Sequence, residues 1–274
     1  MIAFVAKDSG GANLVLHHAL SIQTECKFYL FGVAKEIAAE LKIEQFKRNQ
    51  SVNELTQIIS GANFPGEIGE QEILLGKFQA QGIPIDGYLD GWENLANRFP
   101  GIDIRNYLVV DDYSEALARK LYPGKVLRVK NFYLHSTLNE FHSFSSIIPQ
   151  NPNGVLYLSR PKLSDPGSQR LHGENCICTD LRTIEKSLSP TKIVVRDHPS
   201  LNSIICISEY SARKGLVICQ SRGTSSLAKD LAQCSYAVGA PTPALGIAKD
   251  AGLKAYILSS SQMSAGAPSF PILS

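Results

Sequence analysis

The run from Lys192 to Pro199 joins a short apolar segment to polar side chains that can handle a phosphate group. Lys192 to Val195 is typical of a buried parallel strand, and the carboxyl ends of such strands are where open α/β sheets bind ligands. Arg196, Asp197 and His198 follow at that end. Arg196 offers a planar fork for phosphate, and His198 can hydrogen-bond a phosphate oxygen or give it a proton. Pro199 prevents a regular continuation of the strand. A strand that simply ends in a polar turn is the plainer interpretation.

A second candidate is the loop Asp8-Ser-Gly-Gly-Ala-Asn, between the first predicted strand and the first predicted helix. Gly10 and Gly11 let a ligand approach the backbone, and the amino end of a helix favours anions. The dinucleotide fingerprint needs a third glycine that is missing here, so the loop is a weak signal for NAD. A plain tight turn is the alternative.

Asp90 stands at the carboxyl end of the predicted strand Ile83 to Leu89, close to the only tryptophan, Trp92. A carboxylate in this position can take a proton from an attacking hydroxyl group. Gly91 lets a substrate come close. The alternative is an Asp-Gly turn with Trp92 packed into the core.

The run Val238-Gly-Ala-Pro-Thr-Pro predicts a strand, a turn of small residues and the start of a helix. Gly239 opens this turn, and Thr242 is expected at the amino end of the helix. There its hydroxyl and the free backbone amides can hold a phosphate or carboxylate group. Thr242 acting only as a helix cap is the alternative. The run from Ser221 to Ser226 is a weaker anion candidate, for which a cap and loop is favoured.

The sequence shows no cluster of His, Cys and acidic residues with the spacing of metal ligands, so we expect no metal and no cofactor. Asp111-Asp112 is an acidic pair, but its position favours a cap for the helix from Ser114. His17 and His18 are adjacent on the first helix and point about 100° apart, so they do not chelate together easily. The Gly-x-Ser-x-Gly elbow of one hydrolase class is absent.

Length and composition are typical of a globular enzyme with one large or two medium α/β domains: 274 residues, 44% hydrophobic and 19% charged. A net charge of +2 gives no reason to expect a nucleic-acid partner. The six cysteines lack zinc or redox spacing, which predicts reduced and mostly buried thiols. With no signal peptide or spanning helix expected, we predict a cytoplasmic protein. Peripheral membrane contact and the oligomeric state stay open.

Apolar strand-like segments alternate with helical segments along the chain, which favours parallel sheets covered on both faces. The predicted fold class is α/β, with two Rossmann-like domains whose parallel sheets face each other across a cleft. We predict the first domain over residues 1–135, a connection over 136–154 and the second domain over 155–274. The tail from Ser259, rich in Ser, Pro, Gly and Ala, is expected to be irregular.

The segment from Glu67 to Gln81 is predicted to be a helix. Apolar residues at helical spacing support it, namely Ile68, Ile73, Leu74 and Phe78.

The order of these pieces resembles the glycosyltransferases of the GT-B type. A Gly-Gly loop follows the first strand, an Asp-Gly comes later in the first half, and a His-Pro and a hydroxyl-bearing turn lie in the second half. Within this type, the motifs resemble those of bacterial sialyltransferases and of capsule or lipopolysaccharide transferases that use CMP-activated ulosonic acids. The run Asp90-Gly-Trp-Glu-Asn, with Arg98-Phe99 after it, also resembles predicted polysaccharide-biosynthesis proteins.

This resemblance implies roles for individual residues. Asp90 corresponds to the general base, and His198 to the histidine that meets the donor phosphate. The residues expected to bind the donor are Gly10, Gly11, Arg196, Pro199, Gly239 and Thr242. Leu89 stands where the family has a first acidic residue, and Thr242-Pro243 stands where it has two serines.

The activity that the resemblance implies is a metal-independent, inverting transfer from a nucleotide-activated sugar to a hydroxyl of a carbohydrate or glycolipid acceptor. Two alternatives stay open. One is a UDP-sugar 2-epimerase or nucleotide-sugar hydrolase, with Asp8, Glu67 and Glu70 as extra acid–base candidates. The other is a non-catalytic nucleotide-sugar-binding protein of polysaccharide assembly.

Overall fold

The computed structural model describes residues 1–22, 24–43, 55–63, 66, 68–92, 94–159, 174–197, 210, 214–221, 226–258 and 268–273. The chain divides into two compact units, the first within Met1–His135 and the second from Ser136 onward. Each unit is an alternation of strands and helices around its own parallel sheet.

Unit 1 contains a six-stranded sheet in the order β2-β1-β3-β4-β5-β6, and every neighbouring pair is parallel. The chain leaves β1 towards β2 and returns on the other side as β3, so the topological switch point lies between β1 and β3. The elements are β1 (Ile2–Ala6), α1 (Ser9–Ser21), β2 (Cys26–Leu30), α2 (Val33–Glu40), β3 (Gln57–Gly61), α3 (Glu70–Ala80), β4 (Ile85–Tyr88), β5 (Asn106–Val109), α4 (Asp112–Leu121) and β6 (Val126–Arg128), with a 3₁₀ turn at Leu95–Asn97.

Strand β1 shows why this sheet is covered on both faces. Ala3 and Val5 pack with residues of α3 and α4, whereas Phe4 and Ala6 pack with residues of α1 and α2. All four side chains are fully buried. Successive side chains of a strand point to opposite faces, so an unbroken apolar strand requires helices on both sides.

Unit 2 contains a second six-stranded parallel sheet, in the order β12-β11-β10-β7-β8-β9. The chain builds β7, β8 and β9 in one direction and then returns to the other side of β7, which places the switch point between β7 and β10. The elements are α5 (Phe132–Ser145), which crosses the boundary between the units, β7 (Asn151–Leu158), α6 (Glu174–Leu188), β8 (Lys192–Arg196), β9 (Val217–Ser221), α7 (Leu227–Ala232), β10 (Cys234–Gly239), α8 (Pro243–Asp250), β11 (Lys254–Leu258) and β12 (Ile272–Leu273).

The predicted fold class, α/β with two Rossmann-like units, is confirmed by these two sheets. The segment 136–154, predicted as a connection, instead holds most of α5 and the first residues of β7. Asn131 accepts a hydrogen bond from the backbone N–H of Leu134, 2.9 Å away, and so caps the helix. Thr137 and Phe141, four residues apart, bury one face of it.

The tail also differs from its predicted irregular form. Ile272 and Leu273 extend the second sheet as β12 by pairing with Ile257 and Leu258 of β11.

Helix α3 buries two polar residues beside Phe78, whereas two of the apolar residues that predicted it are exposed. Ile68, just before the helix, and Ile73 are 71% and 56% exposed, whereas Gln71 and Glu72 are buried together with Phe78. The buried amide and carboxylate are stabilised by hydrogen bonds at the end of β3, described below.

The buried carboxylate of Asp86 connects β3, β4 and β5 at the amino-terminal edge of the first sheet. Asp86 of β4 is 4% exposed. Arg105 donates to both of its oxygens, at 2.9 and 2.5 Å, and Asn106 and Gln57 donate at 2.9 and 2.6 Å. Burial by itself raises the pKa of Asp86, but these hydrogen bonds and the charge of Arg105 outweigh burial and hold the pKa below its ordinary value.

We expect Asp86→Asn to lower the free energy of unfolding at pH 7 by about 1–3 kcal/mol, because charge-assisted hydrogen bonds from Arg105 are lost. A depressed carboxyl pKa stabilises the fold above the unfolded pKa of about 3.9, and this contribution disappears as the pH falls through the lower pKa of the folded state. Urea unfolding of both proteins across this range measures the difference, which should shrink in acid.

Asp103→Asn is the matched control for this measurement. Asp103 pairs with Lys125 at the surface, where it is 78% exposed, so its loss should cost less than about 1 kcal/mol. Equal losses in the two variants, or a difference that does not depend on pH, would contradict the role given to Asp86.

Candidate functional site

The first turn of α1 lies directly against the end of β3. A Cβ atom on Gly11 would stand 2.6 Å from the carbonyl oxygen of Ala62 and 2.9 Å from the Cα of Gly61. The obstructing atoms belong to the backbone, so they cannot rotate away. Glycine at these positions therefore allows the amino end of α1 to meet the sheet at the switch point between β1 and β3.

Asp90 lies over this amino end, immediately beyond β4. A Cβ atom on Gly10 would overlap Oδ2 of Asp90. The backbone N–H of Gly11 donates to the carboxylate, and the helix adds partial positive charge there. The side chain of Asp90 is 11% exposed, and its Oδ1 is buried and accepts no hydrogen bond from the described part of the chain.

Burial raises the pKa of Asp90 above the ordinary value of an aspartate. The positive charge of Arg98 and the backbone N–H groups of Asp90 and Gly11 oppose this rise. A carboxylate with a raised pKa is a stronger base than one in water, which suits it to take a proton from a hydroxyl group.

Arg98 connects Asp90 to the end of β3. Its Nη1 lies 3.3 Å from Oδ1 of Asp90, and the same nitrogen donates to the carbonyl oxygen of Asn63 at 3.2 Å. The buried Asn63 amide donates to both oxygens of Glu72, at 3.1 and 3.3 Å. Glu72 also accepts from the backbone N–H of Gly69 at 3.0 Å. A line of polar groups thus runs from the end of β4 to the start of α3.

Neighbouring Gln71 belongs to the same buried layer. Its Nε2 donates to the carbonyl oxygen of Gly61 at 2.8 Å. This hydrogen bond holds the side chain of Gln71 in the buried layer, whereas Ile73 of the same helix is exposed.

The loop that carries Arg98 is fixed by packing. The ring of Phe99 stands over Gly87 of β4, where a Cβ atom would lie 2.6 Å from the ring. Tyr122 donates its hydroxyl proton to the carbonyl oxygen of Leu95 at 2.8 Å. Arg98 is therefore held beside Asp90 by neighbours on both sides of it in the sequence.

Trp92 is packed in the core, as the alternative interpretation of this segment predicted: it is 7% exposed. Its Nε1 donates to both oxygens of Asp111 at 3.1 Å. Asp111 also accepts from the backbone N–H of Ser114 at 2.7 Å. The predicted cap at the start of α4 is therefore confirmed.

In unit 2, three residues share one row across the sheet at the carboxyl ends of the strands. Leu158 of β7 pairs with Arg196 of β8 on one side and with Gly239 of β10 on the other. A Cβ atom on Gly239 would be 2.8 Å from the carbonyl oxygen of Leu158. Thr242 then occupies the N-cap position of α8, but within this described helix its hydroxyl caps none of the first-turn N–H groups. The hydroxyl and those N–H groups are thus placed near the switch point of this sheet.

Arg196 has a partner within its own unit. Its Nη1 lies 2.6 Å from Oδ2 of Asp230, which is 2% exposed and also accepts from the hydroxyl of Ser221 at 2.6 Å. Removing Arg196 would leave a buried charge uncompensated at a cost of about 3–5 kcal/mol. Substitution of Arg196 would therefore test stability as much as ligand binding.

The structure brings some of the predicted site residues together. Gly10, Gly11 and Asp90 meet in unit 1. Arg196 and Gly239 are the last residues of β8 and β10, and Thr242 lies shortly after β10. His198 and Pro199 lie outside the described residues.

Arg98 was named in the sequence only as part of the segment that begins at Asp90, and no role was predicted for it. Asn63 was not among the predicted site residues. Its position shortly after a buried strand, where polar side chains often bind ligands, could have marked Asn63 as a candidate.

Among the described residues, no group of three or more His, Cys, Asp or Glu side chains is arranged to hold a metal ion. In the same part of the chain, no helix combines the length and apolar character needed to cross a membrane.

The chain is similar in structure to three solved proteins over nearly all of its length. MnaA from S. aureus, in a structure with UDP, has 8% identity and a TM-score of 0.60, with 94% of this chain and 78% of that one covered. A putative UDP-N-acetylglucosamine 2-epimerase from Listeria monocytogenes has 11% identity and a TM-score of 0.58, with 95% and 80% covered. The UDP-GlcNAc 2-epimerase from Methanocaldococcus jannaschii has 9% identity and a TM-score of 0.55, with 95% and 84% covered.

No protein-family model matches the sequence, and the search of curated proteins found no significant match. At these identities the similarity shows the fold: the pair of Rossmann-like units expected from the resemblance to GT-B enzymes. The finer likeness to sialyltransferases stays a prediction.

We expect Gly10→Ala to lower the free energy of unfolding by about 1–3 kcal/mol, because the new methyl group overlaps the Asp90 carboxylate. Gly76→Ala is the matched control. Gly76 also lies in a helix, α3, but a Cβ atom there meets nothing within 4 Å. That variant should gain up to about 1 kcal/mol of helix propensity. Urea unfolding of both variants would refute the placement of Asp90 if Gly10→Ala were as well tolerated as Gly76→Ala.

Proposed function

We propose that the protein transfers a sugar from a nucleotide-activated donor to a hydroxyl acceptor, with Asp90 as the general base. The observation that carries this proposal is a carboxylate of raised pKa at the carboxyl edge of a parallel sheet, next to its switch point. Since Oδ1 of Asp90 is covered by protein, we assign proton acceptance to Oδ2. The acceptor oxygen attacks the sugar carbon while its proton passes to Oδ2.

The donor is assigned to unit 2. Gly239 and Thr242 lie at the switch point of the second sheet, where the amino end of α8 favours a phosphate group. Arg196 is the last residue of β8, on the other side of β7, and His198-Pro199 comes shortly after it in the sequence. Such fixed donors stabilise the charge that develops on the departing nucleotide phosphate, so the proposed inverting transfer needs no metal.

Two features bear on the donor. The similarity to MnaA with UDP supports a nucleotide ligand on this fold. A CMP-activated ulosonic acid is the donor class that the resemblance to sialyltransferases adds.

Gly10 and Gly11 were expected to contact the donor. We assign to them the placement of Asp90 instead, because its carboxylate already lies at the amino end of α1.

A UDP-sugar 2-epimerase is the second candidate, favoured by the structural similarity to the two proteins named as UDP-N-acetylglucosamine 2-epimerases. Of the extra acid–base candidates, Asp8 is the N-cap residue of α1 and Glu70 is exposed in the first turn of α3. Glu67 lies outside the described residues. Product analysis without an acceptor tests the second candidate: an epimer or free sugar supports the epimerase or hydrolase. A donor that stays unchanged alone but is consumed when a hydroxyl acceptor is added supports the transferase, and a donor that is bound but never consumed supports the non-catalytic alternative.

We expect one of CMP, CDP, UDP and GDP to raise the melting temperature far more than the others. A ligand at 100 times its Kd stabilises the folded state by about 2.7 kcal/mol. Thr242→Val should weaken this response, because a hydroxyl group near the proposed phosphate site is lost. Thr183→Val, on the surface of α6, is the matched control and should respond like the wild type. No response to any of the four nucleotides would argue against the proposed ligand class.

We expect Asp90→Asn to lower kcat about 10²- to 10⁴-fold, because the amide cannot accept the proton. In the wild type, activity should fall as the pH drops through the raised pKa of Asp90.

His198→Ala should also lower turnover sharply while the protein stays folded. Steady-state assays with the stabilising nucleotide sugar measure both effects. The exposed variants Asp103→Asn and His142→Ala should keep full activity, and full activity in Asp90→Asn would remove Asp90 from the mechanism.

A further inference from the structure

Arg98 is the cation that the structure places beside the proposed base. We propose that Arg98 is a positioning residue: its guanidinium holds Oδ1 of Asp90, favours the charged form of the carboxylate and leaves Oδ2 to receive the proton of the acceptor. This inference rests on the proposed function for its catalytic meaning. The arrangement of the two side chains is independent of that function.

The first argument is the environment of Oδ1. This oxygen is buried and accepts no hydrogen bond from the described residues, and Nη1 of Arg98 lies 3.3 Å from it. The side chains of Arg98 and Asp90 are only 15% and 11% exposed. A carboxylate shielded from water in this way neutralises itself unless a partner compensates its charge. Arg98 supplies that compensation on the closed side of the carboxylate.

The second argument is that Arg98 is held in place by groups other than Asp90. Its Nη1 donates to the carbonyl oxygen of Asn63, whose side chain is fixed by Glu72. Gly91 leaves room for its Nη2, since a Cβ atom on Gly91 would lie 3.2 Å away. A charge held by packing and hydrogen bonds keeps a functional group in one geometry better than a mobile surface charge does.

The third argument is the set of charges around the carboxylate. The first turn of α1, the end of β3 and the loop after β4 surround Asp90. Within the described parts of these elements, the charged group that acts on it is Arg98, assisted by the N–H groups of Gly11 and Asp90. All three oppose the effect of burial, which raises the pKa. A neutral residue at position 98 therefore moves the pKa further upward, and Asp90 is then protonated at pH values where the wild type is ionised.

The test measures the titration of Asp90 directly in the full chain. Aspartate labelled with ¹³C at Cγ is followed by NMR across the pH range, and the Asp90 signal is assigned by its absence in Asp90→Asn. We expect Arg98→Gln to raise the midpoint of Asp90 by about one pH unit or more. Arg98→Lys should restore part of the difference. Arg128→Gln is the control, because Arg128 pairs with exposed Asp112. An unchanged midpoint in Arg98→Gln overturns the inference.

A second measurement covers the case in which Arg98→Gln does not fold. In Arg98→Gln, the buried negative charge of Asp90 has lost the cation that compensates it. If this charge is what unfolds the variant, the double variant Asp90→Asn/Arg98→Gln lacks it and should recover a folded state. Melting temperatures of the single and double variants give the answer. A double variant that is as unstable as Arg98→Gln overturns the inference, since Arg98 would then stabilise the loop by contacts that do not involve the carboxylate.

Enzyme kinetics separate this inference from the proposed function. The acid limb of kcat/KM should move upward in Arg98→Gln by the amount that NMR measures, while the rate at high pH approaches that of the wild type. If the midpoint moves but the wild type transfers no sugar, the proposed function fails and the positioning of Asp90 stands. If transfer depends on Asp90 but its acid limb does not move, the role of Arg98 is overturned.

Discussion

Backbone contact between Gly11 and the end of β3 determines the geometry of this edge of the first sheet. Because no side chain separates them, the amino end of α1 reaches the switch point and meets the next strand end along the sheet. The charge of the buried Asp90 is still partly compensated there by the N–H of Gly11 in α1, by its own backbone N–H and by the guanidinium of Arg98. The reactivity proposed for Asp90 depends on this balance: enough burial to strengthen the base, and enough positive charge to keep it ionised.

The two units each pair an aspartate with an arginine near the carboxyl ends of the strands, but the pairs differ in character. Asp230 is bonded by Arg196 and Ser221 and is almost completely buried, as expected of an ion pair that supports structure. Asp90 keeps one oxygen without a hydrogen bond from the described residues, and its arginine stands at 3.3 Å. The Asp90–Arg98 pair is thus held less tightly than the Asp230–Arg196 pair. This difference agrees with the proposal that Asp90 takes part in chemistry and that Asp230 supports the structure.

The strands were predictable because apolar segments recur at regular intervals along the chain. The contact of Gly10 and Gly11 with Asp90 was not predicted, although all three were separate candidates at the ends of strands. The buried face of α3 was not predictable, since Gln71 bonds to a carbonyl group from another part of the chain. Helix α5 was missed because its serine-rich end suggested a loop, although Asn131 is an ordinary cap. The partnership of Arg98 with Asp90 needed coordinates, because the intervening loop reverses through Asn94 at a φ of 51°.

Gly87 of β4 is connected to the acid–base behaviour of Asp90 through the packing of Phe99. The space above its Cα is filled by the ring of Phe99, the residue next to Arg98. A side chain at position 87 would clash with that ring. We expect the displaced ring to shift the loop and the guanidinium of Arg98 with it. Substitution of Gly87 would then change the pKa of Asp90, three residues further along the chain, although no charged residue has been replaced. Mutational surveys that examine only polar positions would overlook this effect on Asp90.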